Sequence, residues 1–257
     1  MFTVLGARGF VGSHLVRALR ANGYEVFAPV RDDPQIFEQP LGHVLYCIGL
    51  TADFRTRPFA TVEAHVSVLN RVLEHANFTS LVYLSSTRVY SGATSGREDV
   101  TLTVRSDDPS DLYNLTKLTG ESICQTSGRE NVTCVRLSNV IGEDTGSSNF
   151  VYDITREALA GRIDLRSALD SAKDYIGVAD VAKLLPKIAM QNVHALYNVA
   201  SGVKVSHRQI VEALRGLTGC EVVVADGVPT LTFPDVDISR IANEFSFEAR
   251  PVLEDLP

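Results

Sequence analysis

Tyr113 and Lys117 stand four residues apart in Tyr113-Asn114-Leu115-Thr116-Lys117. A helix places residues i and i+4 on one face, one turn apart. A free tyrosine has a pKa of about 10 and is a poor acid or base near neutrality. An ammonium beside it stabilises the phenolate and lowers that value. The pair is therefore a candidate device for moving a proton on or off a carbinol or carbonyl oxygen. Such a spacing is common by chance, and it gains meaning from what precedes it. Gly6-Ala7-Arg8-Gly9-Phe10-Val11-Gly12 follows an apolar segment, Phe2-Thr3-Val4-Leu5, and opens a helical one from Ser13 to Ala21. Glycines in that setting let the backbone turn tightly and approach a pyrophosphate, which then sits at a helix N-terminus.

The end of the second strand, expected over Tyr24 to Val30, distinguishes the two nicotinamide dinucleotides. A carboxylate there binds the adenosine ribose hydroxyls and repels a 2′-phosphate. The sequence reads Ala28-Pro29-Val30-Arg31-Asp32-Asp33, with Val30 at the acid position and Arg31 after it. Arg31 and Arg8 are candidates for charge-assisted bonds to a 2′-phosphate, although Asp32 or Asp33 could instead reach the ribose. NADP(H) is favoured over NAD(H).

The elements that must position these groups alternate strand and helix. Val44 to Leu50 is a continuous apolar run, as expected of a strand buried on both faces. Phe59 to His75 has helical periodicity, Ser80 to Ser85 is a strand, and Leu112 to Gln125 is a helix carrying the Tyr/Lys pair. Val132 to Leu137 and Ala195 to Val199 are further strands, and Asn149 to Ala160 is a helix. Asp174 to Val178 is a short strand, and Asp180 is expected to cap a helix from Val181 to Met190. Ser206 and Gln209 form a capping-box pattern before a helix to Leu217, and Glu221 to Ala225 is a strand. Alternation of this kind specifies a parallel sheet with helices on both faces: an α/β, Rossmann-type, doubly wound fold. Residues 1–139 and 174–200 are assigned to the dinucleotide-binding domain. Residues 140–173 and 201–257 are assigned to a small substrate-binding lobe. Between Arg31 and Val44 there is no room for another helix–strand unit.

With 257 residues, 45% hydrophobic and 21% charged, the chain can bury a substantial core. A net charge of −7 argues against a nucleic-acid-binding surface. Cys47, Cys124, Cys134 and Cys220 lack metal-ligand spacing and read as free buried thiols, which suits a reducing cytosol. No apolar run reaches the length of a membrane span, and no targeting segment is evident, so a cytoplasmic protein without metal or membrane partner is expected.

The sequence resembles the extended short-chain dehydrogenase/reductase family, which contains nucleotide-sugar epimerases, dehydratases and ketoreductases. The resemblance rests on several segments in family order. They are the glycine turn, Val82-Tyr83-Leu84-Ser85-Ser86-Thr87-Arg88-Val89-Tyr90, Tyr113-x-x-x-Lys117 with Gly120-Glu121, and Arg136-Leu137-Ser138-Asn139-Val140-Ile141-Gly142. Tyr175 to Ala182 and Tyr197 to Gly202 complete the set. The resemblance implies that Ser86, with Thr87 as understudy, holds the substrate oxygen, that Tyr113 exchanges the proton, and that Lys117 binds the nicotinamide ribose and lowers the tyrosine pKa. The implied cofactor contacts are Gly6, Arg8, Gly9, Phe10, Val11, Gly12, Arg31, Cys47, Ile48, Gly49, Tyr113 and Lys117. Candidate substrate contacts are Thr87, Asn139, Asn149, Phe150 and Arg208. Ser147-Ser148-Asn149-Phe150 is similar to the stretch that grips a sugar nucleotide. Arg162, Arg166, Lys173, Lys204 and Arg208 are candidate diphosphate partners.

The departures are informative. The unit usually found before Val44 is missing, which opens the adenine side. His65 and Val68 replace an asparagine and a glycine, and His65 reads as a helix-surface residue. The two positions after Ser86 are Thr87 and Arg88 rather than carboxylates, which removes the acid/base pair that water elimination needs. The expected function is an NAD(P)-dependent oxidoreductase or epimerase acting on a secondary alcohol or ketone of a nucleotide-linked sugar, with ketoreduction favoured. The alternatives are an NAD-dependent epimerase and a non-catalytic dinucleotide sensor. The resemblance also implies a homodimer through the helices near Phe59 to His75 and Leu112 to Gln125.

Overall fold

The computed structural model describes residues 1–142 and 149–256, so Ser147 and Ser148 lie outside the described residues. Its centre is a six-stranded parallel sheet of β1 (Phe2–Leu5), β2 (Val26–Phe27), β3 (His43–Tyr46), β4 (Ser80–Ser86), β5 (Val132–Leu137) and β9 (Ala195–Val199), in the order β2-β1-β3-β4-β5-β9. The connections carry α1 (Phe10–Ala21), α2 (Gln35–Glu38), α3 (Pro58–Val62), α4 (Val68–His75) and α5 (Leu112–Thr126). The later elements are β6 (Asn139–Ile141), α6 (Phe150–Leu159), β7 (Arg162–Leu165), β8 (Ala172–Gly177), α7 (Val178–Gln191), β10 (Lys204–Ser206), α8 (His207–Thr218), β11 (Glu221–Val224) and α9 (Ser239–Phe245). This is the doubly wound α/β fold expected. The strand order reverses between β1 and β3, and a crevice opens at the carboxyl ends of strands flanking such a switch point.

The central strands are apolar throughout because both faces are covered. On one face, Leu15 and Leu19 of α1 and Val181, Leu185 and Ile188 of α7 pack on Val4, Val82 and Val135. On the other, Leu69, Val72 and Leu73 of α4 and Cys124 of α5 pack on Leu5, Val44, Tyr46, Leu81 and Tyr83. A third cluster, built around Ile141, Ile154, Ile163, Tyr175, Val205 and Leu214, belongs to the second lobe. That lobe holds the sheet β10-β8-β6 and the pair β11-β7. The tail does not stay with it: Ile241 of α9, with Ile238, Phe245 and Phe247, returns to the first core.

Three sequence expectations shift. The strand expected over Tyr24 to Val30 shrinks to Val26–Phe27, paired only with Phe2 and Thr3. With α2 as the one described element between Arg31 and His43, nothing pairs on its outer side, and Pro29 cannot donate to a ladder. Asp180 does not cap its helix. β8 runs straight into α7, Gly177 takes the cap position, and Asp180 sits in the first turn, where it accepts from Arg250 N at 3.0 Å and Arg250 Nε at 3.2 Å. Phe59 to His75 is interrupted by one wide π-type turn, Glu63–Ser67, which contains His65. The capping box at Ser206 and Gln209 forms as expected.

A buried ion pair ties the carboxyl end of the sheet together. Arg136 on β5 grips Glu121 on α5 through Nε to Oε1 at 3.1 Å and Nη2 to Oε2 at 2.8 Å, with both side chains under a tenth exposed. Ser85 Oγ donates to the same Oε1 at 2.5 Å. Arg136 Nη1 donates to Tyr90 Oη at 3.0 Å, and that hydroxyl donates to Asn198 Oδ1 at 2.7 Å. Removing one partner of such a pair strands a buried charge. Glu121→Gln should therefore lower the unfolding free energy by about 3–5 kcal/mol, whereas Glu121→Met combined with Arg136→Met should recover most of that loss. Denaturant titration of the three proteins is the measurement.

Candidate active site

The glycine turn joins β1 to α1. Gly6 has φ +85°, and a Cβ there would lie 2.8 Å from the Cys47 carbonyl carbon. A Cβ on Gly12 would meet the Gly6 carbonyl oxygen at 2.3 Å, so α1 packs against the turn only with glycine present. Gly9 is the N-cap of α1, and no acidic residue stands in the first turn of that helix. Its Cβ would meet only the Gly6 oxygen, at 3.3 Å, and would otherwise point into the open crevice. Bare backbone, unpaired N–H groups and a helix N-terminus together form an anion cradle.

The crevice has a volume of about 880 Å³ and collects Arg8, Gly9, Phe10, Val11 and Gly12 from this turn, Cys47, Ile48 and Gly49 after β3, and Ser86, Thr87 and Arg88 after β4. Tyr113, Lys117, Asn139, Asn149, Phe150, Lys173 and Phe233 complete its wall. Ser86, Tyr113 and Lys117 thus converge. The Ser86 hydroxyl stands close enough to the Tyr113 phenol to favour its phenolate. The Lys117 ammonium lies 5.8 Å from the Tyr113 ring centroid and donates to the Leu84 carbonyl at 2.8 Å. A Cβ on Gly49 would come within 3.6 Å of that ammonium, so glycine keeps its surroundings clear.

Burial works against both charged forms of the pair. It lowers Lys117 to about 7, opposed by Glu121 and Cys47. It raises Tyr113, opposed by the Ser86 hydroxyl and the Arg88 charge. The net shift on Tyr113 is upward, contrary to the lowering expected, and Arg88 rather than Lys117 is the cation that counters it. Burial also pushes the Cys47 thiol up to about 12, so Cys47, though partly open to the crevice, holds its proton.

His65 is fully buried, not a surface residue. Leu50 N donates to its Nε2 at 3.1 Å, which leaves the proton on Nδ1. Nδ1 donates to Thr116 Oγ1 at 2.8 Å, and Thr116 donates to the Tyr113 carbonyl at 3.0 Å. Burial, then the Lys117 charge, lowers the imidazole to about 2, so it stays neutral. The chain of bonds fixes the loop after β3 against the helix carrying Tyr113.

Other expected residues fall elsewhere. Arg208 does not line the crevice; it sits at the surface paired with Asp170 at 3.0 Å. Arg162 pairs with Asp164 and Glu221, and Lys204 with Asp235. Arg166 lines a second cavity beside α6. Arg31 is exposed and touches Asp32 at 3.6 Å. Asn149 caps α6, accepting from Val151 N and Tyr152 N, and Phe150 stacks on His207 with ring centroids 4.1 Å apart. Asn139 Nδ2 donates to the Asp174 carbonyl at 2.9 Å. The sequence reading missed Phe54, whose ring lies 5.3 Å from that of Tyr113 with Arg55 at 4.4 Å over it, and Phe233 on the opposite wall. Both come from irregular segments with no periodic signal. Among the described residues, no cluster of His, Cys, Asp or Glu could hold a metal, and no helix is long and apolar enough to cross a membrane.

A glycine turn at the switch point of a Rossmann-type sheet, with Ser, Tyr and Lys beside it, defines the extended short-chain dehydrogenase/reductase class. Residues 2–200 match the model of the NAD dependent epimerase/dehydratase family, and the chain belongs to that family. It is 23% identical to a dTDP-4-dehydro-6-deoxy-D-allose reductase from Streptomyces sp, over 97% of this chain and 91% of that protein. Similar solved structures include MoeE5 in complex with UDP-glucose and NAD, at TM-score 0.83 and 24% identity over 99% of this chain and 95% of that one. Another is RMD from Pseudomonas aeruginosa complexed with NADPH, at TM-score 0.81 and 22% identity over 99% and 94%.

The Lys117 shift has a stability consequence. Its folded value, about 7, lies below the unfolded value of about 10.4. Between the two the unfolded chain binds a proton that the folded chain does not, so stability rises with pH across that window and the burial cost is fully felt below it. Lys117→Met should therefore raise the melting temperature most at about pH 6 and least at about pH 10. Thermal denaturation of both proteins across that range is the check.

Proposed function

We propose that this protein is an NAD(P)-dependent oxidoreductase acting on a secondary alcohol or ketone of a nucleotide-linked sugar, with ketoreduction favoured over epimerisation. The convergence of Ser86, Tyr113 and Lys117 on a crevice that begins at the glycine turn carries this reading. The names of the relatives support it: a reductase acting on a dTDP-linked dehydro sugar, a protein bound to UDP-glucose and NAD, and one bound to NADPH.

The residues fit a dinucleotide. Gly9 leaves its Cβ space open to the pyrophosphate, α1 offers its N-terminus, and Gly49 leaves room beside Lys117 for the nicotinamide ribose. When bound, the nicotinamide supplies or accepts the hydride. The Ser86 hydroxyl orients the reacting oxygen, and Tyr113 delivers a proton to it in reduction or withdraws one in oxidation. The Arg88 charge favours the phenolate at that moment, and Lys117 is the candidate to hold the nicotinamide ribose. Positions 87 and 88 offer no carboxylate for elimination of water.

NADP(H) belongs to the same proposal. Arg31 stands exposed past the two-residue β2, and Arg8 is exposed in the glycine turn, so both cations face the side where a missing sheet unit leaves the adenine end open. Homodimerisation through α3, α4 and α5 is likewise part of it, and a monomer in sedimentation would remove that part alone.

Tyr113→Phe should cut turnover by about 10²-fold or more while dinucleotide binding, followed by fluorescence, stays within a factor of about two. Retained binding with retained turnover would defeat the assignment. Arg31→Ala should weaken NADPH binding about tenfold with little effect on NADH. Tight NAD carried through purification of the unaltered protein would instead favour the epimerase.

A further inference from the structure

Phe54 differs from all its neighbours. Every other residue from Thr51 to Pro58 is exposed, while Phe54 is only 3% exposed. The loop after β3 therefore enters the protein at one side chain. That ring goes to the crevice wall, 5.3 Å from the ring of Tyr113. An anchor of this kind needs only an apolar group, and leucine would serve. Here two guanidinium groups also lie over the ring, Arg55 at 4.4 Å and Arg88 at 5.5 Å from its centroid.

Arg88 lies in the turn directly after β4, and its N–H donates to Ser86 Oγ at 3.2 Å, so its backbone is fixed beside Ser86. Hydrogen bonds hold its side chain far less firmly. Nη2 reaches the Ser110 carbonyl at 3.4 Å, and Nε is buried with no partner among the described residues. What the guanidinium does have is two aromatic faces, that of Phe54 and that of Tyr113, whose centroid lies 6.0 Å away. A cation within about 6 Å of a ring centroid is attracted by the ring quadrupole, more strongly where water is excluded. Ser110 closes the assembly. Its Oγ accepts from Arg55 Nε at 3.3 Å and Nη2 at 3.2 Å, while its carbonyl accepts from Arg88. The loop after β3, the turn after β4 and the segment entering α5 thus meet around one phenylalanine ring.

Building on the function proposed above, we infer that Phe54 is a positioning residue: its aromatic face holds the Arg88 guanidinium against Tyr113 and so sets the charge that the phenolate meets. The other ionisable groups around the phenol do not replace that charge. Lys117, from α5, lies 5.8 Å from the Tyr113 ring centroid but is engaged with the Leu84 carbonyl. His65, from the π-type turn, stands edge-on at 5.3 Å and is neutral. Tyr83, from β4, is kept protonated by burial. On Arg88 itself, burial and then Arg55 weigh against the charge, while Asp111 and Asp108 favour it. An arginine keeps its proton under such opposition. Removing the Phe54 face frees the guanidinium without discharging it, and the phenol becomes harder to ionise.

The ionisation of Tyr113 tests this without turnover. In protein labelled throughout with meta-fluorotyrosine, the fluorine resonance lost in Tyr113→Phe belongs to Tyr113, and NMR follows it against pH. Arg88→Gln should move the titration to higher pH. Phe54→Leu keeps an apolar anchor and removes the aromatic face, and it should move the titration the same way by about half a pH unit or more. Phe54→Met is the second apolar substitution should the leucine variant not fold. Phe54→Trp should leave the titration near its unaltered value. In the Arg88→Gln background, Phe54→Leu should add nothing, because the ring acts through that cation. A downward shift in Phe54→Leu would reveal a seal against water instead and overturn the inference. So would an equal shift with the arginine already replaced, no shift at all, or a Tyr113 resonance that does not titrate before unfolding in any of these proteins. The oxidoreductase reading is decided separately, by hydride transfer in the unaltered protein and its loss in Tyr113→Phe.

Discussion

The buried Arg136–Glu121 pair is the constraint on which the geometry of the crevice depends. Glu121 lies one helical turn beyond Lys117 on α5, and Ser85, which shares its carboxylate, immediately precedes Ser86 on β4. One carboxylate therefore sets the axial position of the helix bearing Tyr113 and Lys117 relative to the strand bearing Ser86. Arg136 extends the same bonds to Tyr90 and the Glu98 carbonyl, and Tyr90 reaches Asn198 on β9. Asn198 in turn donates to the Gly96 and Asp237 carbonyls, which seats the long segment after β4 and the chain before α9. A network of this kind is tolerable in a low-dielectric interior only because its members are mutually satisfied. Its yield is positional: Ser86, Tyr113 and Lys117, from two elements, are held together on the crevice wall.

Electrostatics divide the crevice along its length. At the Tyr113–Lys117 end, burial disfavours both the phenolate and the ammonium, so the pair rests near neutrality. In the reaction proposed above, a pair poised in this way would respond to charge developing on the substrate oxygen. Arg88, in the turn after β4, contributes to the field at Tyr113.

Much of this was legible in the sequence, because the signals were local. The glycine turn, the apolar strands, the Tyr/Lys spacing and the Ser206 capping box each depend on residues within one element. What escaped depends on packing between elements. His65 reads as a surface position by a regular 3.6-residue period, but the π-type turn at Glu63–Ser67 inserts an extra residue and rotates the imidazole into the core. The strand expected to Val30 fails because a strand needs a neighbour, and the absent unit removes it. Arg208, on the face of α8 opposite the buried Ile210, Val211 and Leu214, had the right chemistry for a phosphate but faces Asp170 at the surface. Arg88 was visible only as a departure, since its significance lies in Phe54 and Tyr113, neither of them its sequence neighbour.

The same distinction separates chemistry from specificity within the molecule. Ser86, Tyr113 and Lys117 sit on β4 and α5 of the main sheet, braced by the buried network. Lys173 and Phe233 sit on β8 and the loop preceding α9, outside that network. Asp174, next to Lys173, accepts the Ser201 and Gly202 N–H groups just past β9, and Asn139 holds its carbonyl. Lys204 on β10 donates to the Phe233 carbonyl at 3.2 Å and so sets the ring that Lys173 lies against. That wall is therefore built on bonds separate from those that brace Ser86, Tyr113 and Lys117. Changes to Glu121 or Arg136 would disturb Ser86 and Arg88 together, because the strand that ends in Ser86 continues into the turn that presents Arg88.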